Sequence, residues 1–299
     1  MDWTPPSSWT RITSIDAHTA GEPLRIITGG IPSIPGDTIL AKRRYAREHL
    51  DGLRRSLMWE PRGHADMYGC ILTEPVTPDG DLGVLFLHNE GWSTMCGHGV
   101  IGLVQVGLET GLIQAEGEEP VIRLDTPAGR VTATAYREDG HVTHVAFRNV
   151  PSYVVALDQA VEVNGIGRVR YDLAFGGAYY AFVPAADVGL SLTSDNYRGL
   201  IDAGIQIKQA VTAAHPFSHP FESDLSFIYG TIFVSEAQIY SPFPQRLSSP
   251  TAEVDRSPTG TGVSARTAIH YTRGDISLHG PFVVESILGT AFTGKQWKK

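Results

Sequence analysis

Cysteine is scarce: the chain has only Cys70 and Cys96 among 299 residues. That excludes a disulfide framework and fits a reduced compartment. Long apolar runs are missing as well. No stretch reaches the roughly 18 apolar residues of a membrane span, and no basic start leads into an apolar export signal. The expectation is a cytoplasmic protein with no membrane partner. Positive charge is also in short supply, with 24 Lys and Arg against 32 Asp and Glu and a formal net charge of -8. That balance repels phosphate and makes nucleic acid an unsuitable partner. The one basic cluster, "KRRYAR" at 42–47, is expected to form a solvated helix face. No zinc pattern is present: His215 and His219 have helical spacing, but the prolines of "HPFSHP" break the helix that would bring them together.

What the chain does have is 42% hydrophobic content and enough length for two lobes, since single cores stop growing at about 250–300 residues. "RITSIDAH" and "PLRIITGG" read as strands flanking a turn at Gly21, and "DLGVLFLHNE" alternates up to Gly91. "PVIRLDTPAGRVTATAY" and "GHVTHVAFRNV" read as further strands joined by Gly and Pro turns. Helices are expected at about 37–57, behind an Asp37 cap, and at about 193–212.

Two more helices begin inside a repeated motif. "CGHGV" at 96–100 matches "TGTGV" at 259–263, and Gly111 and Gly274 follow at equal distances, placed to close the helices "VIGLVQVGLET" and "VSARTAIHYTR". This reads as an internal duplication. The plainer alternative is a coincidence of two ordinary capped helices in a glycine-rich chain. A dinucleotide site is a third reading, because Gly97, Gly99 and Gly102 spell GxGxxG with Asp125 downstream. That fingerprint needs a strand directly before its first glycine. Here "GWSTMC" intervenes, and the second copy follows a Pro- and Ser-rich run, 241–258, unsuited to a buried parallel strand.

Glycines at a helix start instead suit an anion, since free N–H groups and the helix dipole both point at it. A small carboxylate would fit between two such ends. A cysteine there is expected to have its thiol lowered below about 8.5 and to serve as a base. Cys70, in the apolar "MYGCIL", reads as a core thiol, while His64 and Asp66 in "RGHADMYG" are weaker pocket candidates.

"MCGHGVIG" and "DRSPTGTGVSAR", with "IDAHTAGEPLRIITGG", "EPRGHADMYG" and "DLSFIYGTIF", resemble the proline racemase family along nearly the whole chain. The resemblance implies an α/β fold of two similar lobes, each a curled mixed sheet around a central helix, with the active site between them. The first lobe is expected at 1–118, with strands from 277–299 returning to it, and the second at 119–276. Family racemases and epimerases carry cysteine in both motifs, so that two thiols work on opposite faces of the substrate. This chain has Cys96 and Thr259. The resemblance implies that members with this pair dehydrate trans-3-hydroxy-L-proline to Δ1-pyrroline-2-carboxylate without a cofactor.

A threonine hydroxyl is too weak an acid to return a proton to the second face, whereas a carbanion beside a 3-hydroxyl can expel it. By resemblance Cys96 is the base and Thr259 its opposite number. Gly97, His98, Gly260 and Thr261 bind the carboxylate, and Asp224 meets the ring ammonium. His98, Asp224 or a water on Thr259 remain open as the acid for the leaving hydroxide. A hydroxyproline epimerase or racemase with an altered second base, and a noncatalytic imino acid binder, stay as rival readings. Assembly is left open between a monomer and a homodimer.

Overall fold

The structure, a computed structural model, describes residues 3–235, the main chain of 245–248, and residues 254–297. Its strands form two mixed sheets in succession along the chain. The first holds β1 (Thr13–Thr19), β2 (Glu22–Gly29), β3 (Tyr68–Thr73), β4 (Leu82–His88), β5 (Gly91–Trp92), β6 (Val121–Thr126), β7 (Gly129–Glu138) and β8 (His141–Arg148). The second holds β9 (Tyr153–Val163), β10 (Gly167–Phe175), β11 (Tyr179–Pro184), β12 (Ile228–Val234), β13 (Gln245–Ser248), β14 (Pro281–Ser286) and β15 (Ala291–Lys295). The helices are α1 (Ile39–His49), α2 (Asp51–Met58), α3 (Gly97–Glu109), α4 (Tyr197–Ala214) and α5 (Gly260–Arg273).

Strand alternation builds a core on each face of each sheet. In the first, Leu24, Ile26, Tyr68, Cys70, Val84 and Phe86 face α3, while Ile27, Ile71, Leu85 and Leu87 pack with residues of α1 and α2. In the second, Tyr180, Phe182 and Ile232 face α5, and Ala181, Val183 and Phe233 face α4. On α3 the buried stripe is Val100, Leu103, Val104 and Leu108. Each such side chain contributes roughly 1.5–3 kcal/mol of burial, before the entropy of ordering is set against it. Each lobe is thus a sheet curled round a glycine-started helix.

Several expectations are corrected. The boundary expected at 118/119 falls inside the first sheet, because β6 pairs parallel with β4 and brings β7 and β8 with it. The C-terminal strands do not return to the first sheet: β14 and β15 pair in the second. The division between sheets falls between Arg148 and Tyr153. The helix expected at 37–57 breaks at Leu50, and its cap is Thr38, whose side chain accepts from Ala41 N, rather than Asp37. "KRRYAR" is not wholly solvated, since Lys42 and Arg43 are buried and bond main-chain carbonyls of Glu74, Trp92 and Ser93. The run 241–258 contains β13, parallel to β14; residues 241–244 and 249–253 of that run lie outside the described residues.

Candidate active site

The two glycine motifs meet. A Cβ built on Gly97 would lie 2.5 Å from Gly260 Cα, and one built on Gly260 would lie 2.7 Å from Gly97 Cα. Backbone therefore passes against backbone where α3 and α5 begin, and only glycine at both positions allows it. The expected closing glycines, Gly111 and Gly274, take left-handed φ of 73° and 81°. The first amides of both helices, on Gly97, His98, Gly260 and Thr261, have no partner within their own helix. All four residues line one cavity of about 450 Å³, open mouth included, together with Cys96, Thr259, Met95, Glu22, Asp255 and three tyrosines.

Cys96 and Thr259 hold matching positions but opposite conformations. Cys96 is extended (φ -144°, ψ 115°) and caps α3, its Sγ accepting from Gly99 N at 3.2 Å. Thr259 is left-handed, with φ 61° and ψ 85°, and makes no cap bond. Its Oγ1 is buried without a hydrogen-bond partner among the described residues. A β-branched residue rarely holds such a φ, and backbone strain of this kind concentrates at functional sites. The strained turn frees the hydroxyl from helix capping.

Around this pair stand aromatic and charged groups. The Tyr68 ring meets His98 edge-on at 4.8 Å and stacks on His88. Tyr180 bonds Thr261 Oγ1 at 2.7 Å, and Tyr229 meets Tyr180 edge-on. His98 Nδ1 lies 3.2 Å from Cys96 Sγ, and burial lowers the His98 imidazole, favouring its neutral form. Glu22 reaches in from the first sheet, its Oε2 accepting from Arg256 N at 2.8 Å, and Asp255 Oδ1 accepts from Ser257 N.

The site can also be placed among known proteins. The family profile described as proline racemase matches residues 14–299. The chain belongs to the proline racemase family. The trans-3-hydroxy-L-proline dehydratase of Colwellia psychrerythraea is 45% identical over 287 residues, 96% of this chain and 81% of that protein. The trans-3-hydroxy-L-proline dehydratase of Homo sapiens is 46% identical over 292 residues, 95% of this chain and 82% of that protein. Among solved structures, a hydroxyproline epimerase from Agrobacterium vitis with bound trans-4-hydroxy-L-proline matches with a TM-score of 0.88. It is 32% identical, covering 94% of this chain and 83% of that one.

In this proline racemase family chain the structure brings together Cys96, Gly97, His98, Thr259, Gly260 and Thr261. It does not bring Asp224. That residue lies in the short turn Ser223–Leu225, outside the cavity lining, with its carboxylate 3.2 Å from Arg44 Nε on α1. The cavity carboxyls are Asp255 and Glu22. Both stand in quoted motifs, Asp255 as the first residue of "DRSPTGTG" and Glu22 in "TAGEPLR".

The expected lowering of the Cys96 thiol is also reversed. Burial pushes it well above its ordinary range, and the negative charge of Asp255 pushes the same way. The Gly99 amide and the Tyr68 hydroxyl pull against this but are outweighed. Asp66 is outside the cavity lining, its carboxylate 3.9 Å from Arg256 Nη2, and His64 bonds the carbonyl of Ala65. Cys70 is a buried core thiol raised by burial. Arg43 went unseen in the sequence as a brace: from α1 it holds the carbonyls of Trp92 and Ser93, in the run leading to Cys96. Among the described residues no group of His, Cys, Asp and Glu is arranged to hold a metal, and no helix is long and apolar enough to cross a membrane.

Proposed function

We propose that this chain dehydrates trans-3-hydroxy-L-proline to Δ1-pyrroline-2-carboxylate. The observation that carries the proposal is the pairing, at matched helix starts of one cavity, of a thiol at Cys96 with an unbonded hydroxyl at Thr259. The names of the Colwellia and human relatives support the same reading.

The substrate carboxylate takes the amides of Gly97, His98, Gly260 and Thr261, where the two helix dipoles add. The ring ammonium sits by Asp255, in the role the sequence reading gave to Asp224. Bringing that cation in reverses the electrostatics at Cys96. The Asp255 charge that raised the thiol is now compensated, and the thiolate forms when substrate is present. Cys96 then removes the Cα proton. Thr259 lacks an acidity matched to returning one on the far face, so the electron pair expels the 3-hydroxyl instead. Thr259 Oγ1, without a hydrogen-bond partner among the described residues, stands on the face opposite the abstracted proton. The enamine product tautomerises to the imine.

Product analysis after incubation with trans-3-hydroxy-L-proline, trans-4-hydroxy-L-proline and L-proline tests the proposal. Water loss from the 3-hydroxy substrate with no inversion of the other two is expected. Epimerised 4-hydroxyproline or D-proline as the main product would overturn it.

A further inference from the structure

We propose that Glu22 is the acid that protonates the departing 3-hydroxyl, an inference that rests on the dehydration proposed above. Glu22 opens β2 directly after Ala20 and Gly21, whose φ values of 54° and 91° make a tight hairpin turn. The tip of that hairpin crosses to the second sheet. Thr290 Oγ1 donates to Ala20 O at 3.3 Å, and Arg256 N donates to Glu22 Oε2 at 2.8 Å. The side chain is thereby fixed in the cavity lining, 4% exposed, together with Cys96, Asp255 and Thr259. Among the described residues nothing donates to Oε1.

Two carboxyls share this space, and their surroundings differ. Asp255 is half-buried and accepts the Ser257 amide. Glu22 is almost wholly enclosed, with Asp255, Asp66, Arg256 and Cys96 as its charged or titratable neighbours. Burial, then the charge of Asp255, push its carboxyl well above the ordinary range, against a smaller pull from Arg256. Enclosure and the neighbouring carboxyl thus favour the proton on Glu22, which suits it to act as the acid.

The step balances. The Cys96 thiolate takes the Cα proton, the C–H electrons form the Cα–Cβ double bond, and the Cβ–O bond breaks. The Glu22 proton passes to the leaving oxygen, giving water, a thiol and a carboxylate. Exchange with solvent returns Glu22 to its acid form and releases the Cys96 proton.

The test compares leaving groups. Glu22→Gln keeps the size and an oxygen for the Arg256 amide but has no acid proton. Dehydration of trans-3-hydroxy-L-proline should fall by about 10²-fold or more, the usual scale of general acid catalysis. Elimination of HCl from trans-3-chloro-L-proline, whose leaving group needs no proton, should stay within about threefold. Deuterium wash-in at Cα of the 3-hydroxy substrate should also persist. A variant that dehydrates like wild type overturns the assignment and leaves the dehydratase reading intact. Loss of all three activities also overturns it, since Glu22 would then only hold the fold. Absence of water loss in the wild-type enzyme would instead sink the dehydratase reading.

A second measurement needs no variant. In the wild-type enzyme dehydration should fall at alkaline pH, as Glu22 loses its proton, along a limb absent from the chloride profile. The same limb in both profiles overturns the proposal.

Discussion

Gly97 and Gly260 face each other where α3 and α5 begin, so closely that a Cβ on either would enter the other's backbone. This contact fixes the separation of Cys96 and Thr259, each the residue immediately before one of the two glycines. Gly97→Ala is expected to force α3 and α5 apart. Overpacking against backbone should cost about 3 kcal/mol, or roughly 5–10 °C in thermal midpoint. Turnover should fall further than stability, because the displacement lies between the reacting groups. Calorimetry alongside initial rates checks both.

Cys96→Ser should lower turnover by at least about 10³-fold while leaving pyrrole-2-carboxylate binding within a few-fold of wild type. A serine hydroxyl is a far poorer base, and the carboxylate contacts come from main-chain amides. Isothermal titration paired with a dehydration assay separates the two effects.

Asp255→Asn should affect Cys96 in two opposite ways. Catalysis should fall by roughly 10²-fold through loss of the charge that meets the ammonium. Yet the thiol, relieved of the Asp255 charge that raises it, should form thiolate more readily in the free enzyme. Iodoacetamide labelling of Cys96 at neutral pH should therefore speed up relative to wild type. Slower labelling would contradict the electrostatics described for the site.

A pH dependence of stability follows from His88. This imidazole is 5% exposed, its Nδ1 accepts from Glu90 N, and burial together with the positive charge of Arg54 lowers it to about 3. Its folded value lies below its unfolded one. Its contribution is therefore complete above about pH 6.5 and is lost as pH falls toward 3, amounting to roughly 5 kcal/mol. Urea midpoints should drop between pH 7 and 5, and His88→Phe should flatten that slope.

The helix starts of the site were legible because their signals are local: a capping cysteine, paired glycines, and closing glycines at a fixed spacing. What the sequence hid depends on distant residues. The upward push on Cys96 comes from burial and from Asp255, and the folded chain sets the Asp255 loop against Glu22 although Glu22 and Arg256 stand 234 positions apart. Asp224 was expected in the pocket on the resemblance of "DLSFIYGTIF" alone, and only packing shows that it faces Arg44 while Asp255 lines the cavity. The sheet boundary was misjudged for a similar reason: the β4–β6 pairing that holds residues 121–148 in the first sheet joins strands separated by a whole helix. Arg43 had no signature at all, since a basic residue on an amphipathic helix gives no sign that it will be buried against carbonyls.

The central claim is one-sided proton removal, with Cys96 as base and no matched acid opposite. It is tested most directly by incubating the enzyme with L-proline in heavy water and following both deuterium at Cα and configuration. L-proline has no 3-hydroxyl to expel, so its carbanion can only be reprotonated. The account predicts slow deuterium incorporation with the L configuration retained. Deuterium appearing together with rapid formation of D-proline would show a working acid on the second face and contradict it.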